Sequence, residues 1–431
     1  MNNFIIKNYN KNIFYNVANF TIILFPLFLL TGPLISELFM FILISCFFIL
    51  KANNLKFIFS EKEFKIFILF WITILTSSFL SGSYEAFFKS FAYLRFGLFF
   101  IAIKFFLMQN SNILKKLKIV FMIIFGLLFV DTVYQHINRV NLLGYVAIDY
   151  PRLSSVFNEE YILGSYTARL MPLFLAVSYF VLIDNINKLK SYFIIIFFFA
   201  CSLIIFLAGE RVALFYLMLI LISLIIILAK IKNYKILSIL FFLILSQFSL
   251  LYFNKDFKSR YLQQTLDEFG MSSDKTYQKE YGTAESIYKN IYIYSPAHQS
   301  YILTAYNMFL DKPFFGHGIK SFRVKCNNIK FADNLNSCST HPHNIYFELL
   351  SETGIFSFIL ISFVYFLLLK KFFLNIFIID LKKIKICSTL LSLFFIFSLF
   401  PFIPSGSFFN NWLSMIMFYN LGFLNFFKNQ E

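Results

Sequence analysis

Charge is what this sequence has least of. Asp, Glu, Lys and Arg make up 14% of its 431 residues, against 59% hydrophobic, and the mean hydropathy is +0.72. A soluble protein of this length needs far more polar surface, so the scarcity excludes a soluble globular chain and leaves an all-α polytopic membrane protein. Its 65 phenylalanines are too many for one soluble core and suit lipid-facing helices. Cysteines number five. Cys46, Cys201 and Cys387 fall in apolar runs, where a thiol is simply a small apolar group. Cys326 and Cys338 share a polar segment and can pair if it faces an oxidising compartment; two reduced, buried thiols are the plainer alternative. No Cys/His/Asp cluster has zinc spacing, and no Asp-x-Asp pattern would hold a metal-bound nucleotide sugar. Repeats, low-complexity linkers and a phosphate-cradling Gly-rich loop are also missing. No small-residue cleavage site follows the first apolar run, which reads as an uncleaved helix behind Lys7 and Lys11.

What is there, instead, is a succession of apolar runs of about 20 residues, the length that crosses ~30 Å of hydrocarbon. Twelve are legible, at roughly 13–30, 34–50, 64–81, 91–108, 118–136, 163–184, 191–208, 211–229, 236–253, 344–369, 386–402 and 409–427. The net charge of +16 would suit nucleic acid, but the lysines fall where alternate loops would meet the cytoplasm. Lys51, Lys56, Lys62 and Lys65, Lys115, Lys116 and Lys118, Lys230, Lys232 and Lys235, and Lys370, Lys371, Lys382, Lys383 and Lys385 lie on one side. The short loops opposite hold only Lys89, Arg139, Arg152 and Arg211. That bias puts both termini in the cytoplasm and the long segment 254–342 outside, as a small cap inserted into a single membrane domain spanning 1–431. Within the cap, Ser295-Pro296 starts a helix, Asp311-Lys312-Pro313 stops it, and Gly316-His317-Gly318 makes a flexible turn.

The chemistry is expected where the cap re-enters the membrane, at Ser339-Thr340-His341-Pro342-His343-Asn344, which holds two of the five histidines. Either histidine can act as a general base toward an attacking hydroxyl; the plainer reading is two histidines capping a helix. Asn344 would orient a histidine or the turn. Glu352, nine residues past His343, would be buried and paired with Arg95 or Arg169. Arg152, Arg211 and Arg323 all fall on the outside face and together would suit a diphosphate, since a guanidinium stays charged and forks onto phosphate oxygens. Ion pairs with Glu159 and Glu210 are the structural alternative.

Several of these blocks resemble one family. Gly316-His317-Gly318, Ser321-Phe322-Arg323, Cys338 through Tyr346 and Glu352-Thr353-Gly354 are similar to the O-antigen ligase and O-antigen polymerase superfamily, as are Arg152 ahead of Phe157-Asn158-Glu159-Glu160-Tyr161 and Gly209-Glu210-Arg211. The resemblance implies a metal-independent, inverting membrane glycosyltransferase of the bacterial inner membrane, without a cofactor. It would take a glycan from undecaprenyl diphosphate on the periplasmic face in lipopolysaccharide biosynthesis. The acceptor would be lipid A-core for a ligase, or a lipid-linked glycan for a polymerase, with the ligase type favoured. By motif, His343 becomes the base with His341 as partner or second candidate, and Arg211 and Arg323 become diphosphate contacts, with Arg152 a weaker one. Where the family tends to place an arginine ahead of the cap helix, this chain reads Pro296-Ala297-His298-Gln299, which makes His298 the candidate substitute. A transporter is the competing class, though midplane charges are few and no repeat is visible.

Overall fold

The structure is a computed structural model describing residues 2–51, 56–182, 188–230, 232–268, 295–334, 337–377 and 383–430. Parts of the expected cap segment, 269–294 and 335–336, lie outside the described residues, as do 183–184 of one expected run and Lys382. Among the described residues no strand forms; one isolated bridge joins Val140 and Val146.

Among the described residues each of the twelve apolar runs is mostly helical; the run at 91–108 is broken at Tyr93, and that at 386–402 leaves its helix after Ser398. The main helices are α1 (Asn2–Phe28), α2 (Pro33–Lys51), α3 (Lys62–Leu80), α4 (Tyr84–Ala92), α5 (Leu94–Gln109), α6 (Asn112–Asn138), α7 (Leu163–Leu182), α8 (Lys188–Leu207), α9 (Arg211–Lys230), α10 (Tyr234–Phe253), α11 (Pro296–Asp311), α12 (Phe322–Lys325), α13 (Ile345–Phe377), α14 (Lys383–Ser398) and α15 (Asn411–Lys428). Among the described residues, seven segments are long and apolar enough to cross a membrane: Asn12–Thr31, Pro33–Lys51, Lys62–Leu80, Tyr84–Gln109, Leu163–Leu182, Arg211–Lys230 and Ile345–Phe377. In lipid a helix satisfies its own backbone, which is why long apolar runs take this form and not open strands.

The bundle core follows from two devices. Small residues let helices close up: a Cβ on Gly422 of α15 would lie 2.7 Å from Ile103 of α5, and one on Gly97 would collide with Phe67 of α3. Tyrosines repair what proline breaks. Pro26 in α1 has no N–H for the carbonyl four residues back, Ile22. The buried Tyr419 hydroxyl donates to that carbonyl at 2.7 Å, and Tyr166 donates to the Pro26 carbonyl at 2.7 Å. Buried charge is matched too. Lys104, fully buried, pairs with Glu61, and Arg95 pairs with Glu37 at 3.3 Å.

The cap helix α11 forms as its sequence predicts. Ser295 caps it, with Pro296 in the first turn, and it ends at Asp311 with Lys312 as its C-cap. It lies along α13, and its buried side packs Ala305 and Met308 with Phe322, Cys326 and Phe331. A second small apolar cluster, Ala147, Leu153, Phe206, Leu207, Phe257 and Tyr261, joins the 139–162 loop to the ends of α8 and the 255–263 segment. These two clusters carry the two halves of the candidate site.

Candidate functional site

The histidine turn is fixed by the loop between α14 and α15. His341 Nε2 lies 3.0 Å from the Ser405 carbonyl, which can only accept, so that nitrogen carries the proton. Its Nδ1, 2.9 Å from the Thr340 hydroxyl, is then the acceptor. The Ser405 N–H donates to the His343 carbonyl at 2.8 Å and holds His343 at φ +56°. Asn344 orients the backbone turn and caps α13: its Oδ1 accepts from the N–H of Tyr346 at 3.0 Å, while its amide donates to the Pro401 carbonyl. One turn on, Ser407 and the Phe408 N–H both donate to the buried Glu348.

Three histidine rings meet here. Those of His341 and His343 are 4.0 Å apart, and His298, from the first turn of α11, stands edge-on to His343 at 5.1 Å. His298 Nδ1 is 2.6 Å from Ser295 Oγ. Among the described residues the only side-chain hydrogen bond of His343 runs from Nε2 to Ser339 Oγ, 3.2 Å, which leaves its Nδ1 without one. Burial, then the neighbouring His341 and His298, pull the His343 pKa down to about 3. His341 is lowered too, by burial first, partly offset by its bond to Ser405; Arg323 and His298 add to the lowering. Both imidazoles are therefore neutral at neutral pH.

The Gly316–Gly318 turn and the Glu352-Thr353-Gly354 block fit into one another. α13 breaks at Gly354 (φ 76°, ψ −172°), and the freed carbonyls of Ser351 and Glu352 accept from the N–H groups of His317 and Gly318. The Ile355 N–H donates to the Pro313 carbonyl. The fit needs bare backbone on both sides: a Cβ at Gly316 would sit 2.4 Å from the Glu352 carbonyl carbon, and one at Gly354 2.2 Å from the Phe314 oxygen. Glu352 is buried, as its position implies, but it pairs with neither Arg95 nor Arg169. Its carboxylate instead accepts from the N–H of Lys320 at 2.6 Å and of Phe322 at 3.0 Å, because the inserted turn brings two unpaired donors closer than either arginine. Arg95 is engaged by Glu37 and Asn411, and Arg169 by Ser165, Ser398 and Tyr216. A disulfide joins Cys326 to Cys338, Cα atoms 4.9 Å apart, and so ties the turn bearing Arg323 to the approach to Ser339.

The three arginines divide. Arg152 packs against Gly209, ion-pairs with Asp149 at 3.0 Å and lies over the Tyr161 ring. Arg211 donates to Thr265 at 3.3 Å. Between them stands Arg260, on a π-helical turn (Ser259–Gln263), donating to the Gly209 carbonyl at 3.0 Å and to Gln264 at 2.7 Å. Burial and the like charges of Arg152 and Arg211 lower the Arg260 pKa. Among the described residues Arg152 Nε is buried with no hydrogen-bond partner. Glu210 caps α7: its carboxylate accepts from the N–H of Gly164 at 2.6 Å and of Ser165, while the charge of Arg152 acts on it. Arg323 belongs elsewhere. It is exposed on α12, and its charge acts on His341, Glu348 and Glu352.

Residues 196–362 match the family model described as O-antigen ligase. The match covers less than half of the chain and supports the O-antigen ligase and polymerase superfamily for that region. No curated protein matches the chain. The family match begins in α8 and ends in α13, so it takes in Arg211, Arg260, Arg323, all three clustered histidines and Glu352, and leaves out Arg152. The matched region, with seven apolar helices of membrane-spanning length among the described residues, supports a membrane protein with a glycosyltransferase-like domain.

Sequence reading passed over two cations of this O-antigen ligase domain, Arg260 and Lys320. Arg260 follows the apolar run of α10 with nothing to mark it; only the turn at 259–263 folds it back over Gly209. Lys320 follows the Gly316–Gly318 turn, and its left-handed backbone (φ +60°) is set by Glu352 from a helix 32 residues away.

Proposed function

We propose that the protein transfers a glycan from undecaprenyl diphosphate to a sugar hydroxyl of an acceptor glycolipid, in the manner of an O-antigen ligase. The observation that carries this is the histidine turn: a neutral, rigidly held His343 with one ring nitrogen unengaged among the described residues. In the proposed step the acceptor hydroxyl gives its proton to His343 and its oxygen forms a bond to the anomeric carbon from the face opposite the leaving group, which inverts that centre. The bond from that carbon to the diphosphate oxygen breaks, and the electron pair leaves on the lipid diphosphate. Arg211, Arg260 and Arg152 receive that charge. Removing one fixed donor of this kind costs about 10²–10³ in rate, and a positioned base contributes about 10²–10⁴. A histidine held near pKa 3 is a weak acceptor in the empty site; an arriving diphosphate anion favours the imidazolium and raises it. His341, with both ring nitrogens bonded, keeps the turn in place, and His298 stands where related chains tend to carry an arginine. The reaction uses no metal and no cofactor.

The same reading places the chain in the inner membrane with twelve spans, both termini in the cytoplasm and the site on the periplasmic face, following the lysine distribution. The test is a gel of surface glycan and lipid-linked intermediates from cells lacking the gene. Long chains accumulating on the carrier lipid and never reaching lipid A-core are expected. Core carrying a single repeat unit would make the protein a polymerase instead, and an unchanged ladder would overturn glycan transfer.

A further inference from the structure

We infer that the cavity between α1 and the start of α6 is a binding site for an anionic phospholipid with a hydroxylated headgroup, of the phosphatidylglycerol class. None of the residues that line it belongs to the histidine turn or to the arginine group around Gly209, so the site holds whether or not the chain transfers glycan.

The cavity measures about 710 Å³ and has two kinds of wall. The polar wall comes from Asn16 and Asn19 of α1 and from Asn110, Asn112, Lys115 and Lys116 at the turn into α6. The apolar wall comes from Phe20, Ile23 and Leu24, further along α1. All of the α1 residues lie within the membrane-length segment Asn12–Thr31. From Asn16 to Leu24 the wall runs about 12 Å along the helix, close to one leaflet's share of a ~30 Å hydrocarbon core. Polar groups at the end of the bundle and apolar groups deeper in match the layout of a lipid.

The charge on the polar wall is of the sign that a helix start disfavours. The N-terminus of α6 is the positive end of a 27-residue helix, where acids and anions are stabilising. Its first turn holds no acidic residue, Ser111 gives it no side-chain cap, and Lys115 and Lys116 add positive charge instead. Among the described residues no carboxylate lines the cavity, and neither lysine ammonium makes a hydrogen bond or an ion pair. Asn110 Oδ1 accepts from the Asn112 N–H at 3.1 Å and so fixes that side chain at the turn. Asn19 is half-buried, and among the described residues its Oδ1 is buried without a partner. An amide placed so within an apolar run is destabilising until something bonds it.

These features select the ligand together. A phosphodiester meets Lys115 and Lys116 with charge-assisted bonds. Glycerol hydroxyls both donate and accept, as asparagine amides do. An acyl chain covers Phe20, Ile23 and Leu24. Phosphatidylethanolamine would bring an ammonium against two lysines, and inorganic phosphate would leave the apolar wall uncovered. On the proposed topology this end of the bundle meets the cytoplasmic leaflet, whose anionic lipids are drawn to basic pockets between membrane helices.

The experiment measures, by native mass spectrometry, the lipid retained by the purified, delipidated full-length protein in detergent. The probes are phosphatidylglycerol, phosphatidylethanolamine and phosphatidic acid of identical chains, with inorganic phosphate as competitor. The wild type is expected to hold one phosphatidylglycerol about 10-fold more tightly than phosphatidylethanolamine. It should also hold it more tightly than phosphatidic acid, and inorganic phosphate should not displace it. Lys115→Gln with Lys116→Gln should erase the preference over phosphatidylethanolamine, and Lys115→Arg with Lys116→Arg should keep it. Asn16→Ala with Asn19→Ala should bring phosphatidylglycerol down to the level of phosphatidic acid. Lys232→Gln with Lys235→Gln, at the turn between α9 and α10, controls for general surface charge and should change nothing. Equal retention of phosphatidylglycerol and phosphatidylethanolamine by the wild type overturns the site. So does a Lys115→Gln, Lys116→Gln protein that keeps the preference, or a control pair that loses it by the same factor. Phosphatidic acid held as tightly as phosphatidylglycerol overturns the hydroxylated headgroup, and displacement by inorganic phosphate overturns the lipid. If the glutamine pair does not fold, Leu24→Trp, which fills the apolar wall, takes its place: weaker retention of phosphatidylglycerol is expected, and undiminished retention overturns the site.

Discussion

Around His341 and His343 nearly every polar group is bonded: to Ser405, Thr340 and Ser339, with Asn344 and Glu348 securing the same loop from below. Around Gly209 the like charges of Arg152 and Arg211 bear on Arg260, Asp149 pairs with Arg152, and among the described residues Arg152 Nε is buried with no partner. The first region is built so that its geometry is complete before any substrate arrives, which is what orienting a base requires. The second is built so that it is relieved when an anion arrives, which is what receiving a leaving diphosphate requires. Substitutions should therefore act differently in the two regions.

The largest separation is expected from Arg260→Gln. It should lower transfer about 10²–10³-fold, while the melting temperature of the donor-free protein stays level or rises as repulsion is removed. Parallel melting curves and transfer assays check this; a melting temperature that falls along with the rate would make Arg260 structural and break the contrast. Arg211→Lys should fail to restore activity, because the fork is lost although the charge is kept.

Gly354→Ala tests the other region. The new Cβ meets the Phe314 oxygen at 2.2 Å in a backbone conformation nearly closed to other residues. A loss of about 3 kcal/mol of stability is expected, read by denaturant or thermal unfolding in detergent. A protein as stable as the wild type would show that the interlock with the Gly316–Gly318 turn is not what holds the site.

The smallest effect is on pH. His343 binds its proton only near pH 3 when folded, but near 6.5 when unfolded. Between those values the unfolded state carries the extra proton, so stability falls as pH falls below about 6.5, by roughly 1 kcal/mol for the first unit. His341 is displaced in the same direction. Unfolding of the wild type and of His343→Gln at pH 6.5 and 5.5 measures it; equal slopes would mean that His343 is not held neutral.

Helices and histidines were legible because their signals are local. Apolar runs mark helices wherever lipid is the solvent, Ser295-Pro296 announces a helix start that formed as written, and Asn344 orients the turn it was expected to. Partnerships across the fold were not. Glu352 suggested a buried ion pair, but the turn that receives it comes from 30 residues earlier and presents backbone donors, which no charge pattern reveals. Arg323 looked equivalent to Arg152 and Arg211 because all three were assigned to one face; folding puts it with the histidines, and Arg260 takes the place beside Gly209. Charge sign and side can be read along a chain, but which charges become neighbours depends on how loops double back.

The most direct test of the whole account is the single-turnover rate of His343→Ala with glycan-bearing undecaprenyl diphosphate bound, measured beside its donor affinity. The account predicts a folded protein that binds donor as the wild type does and transfers about 10²–10⁴ times more slowly. Transfer at the wild-type rate would contradict it, and so would a loss explained entirely by weaker donor binding.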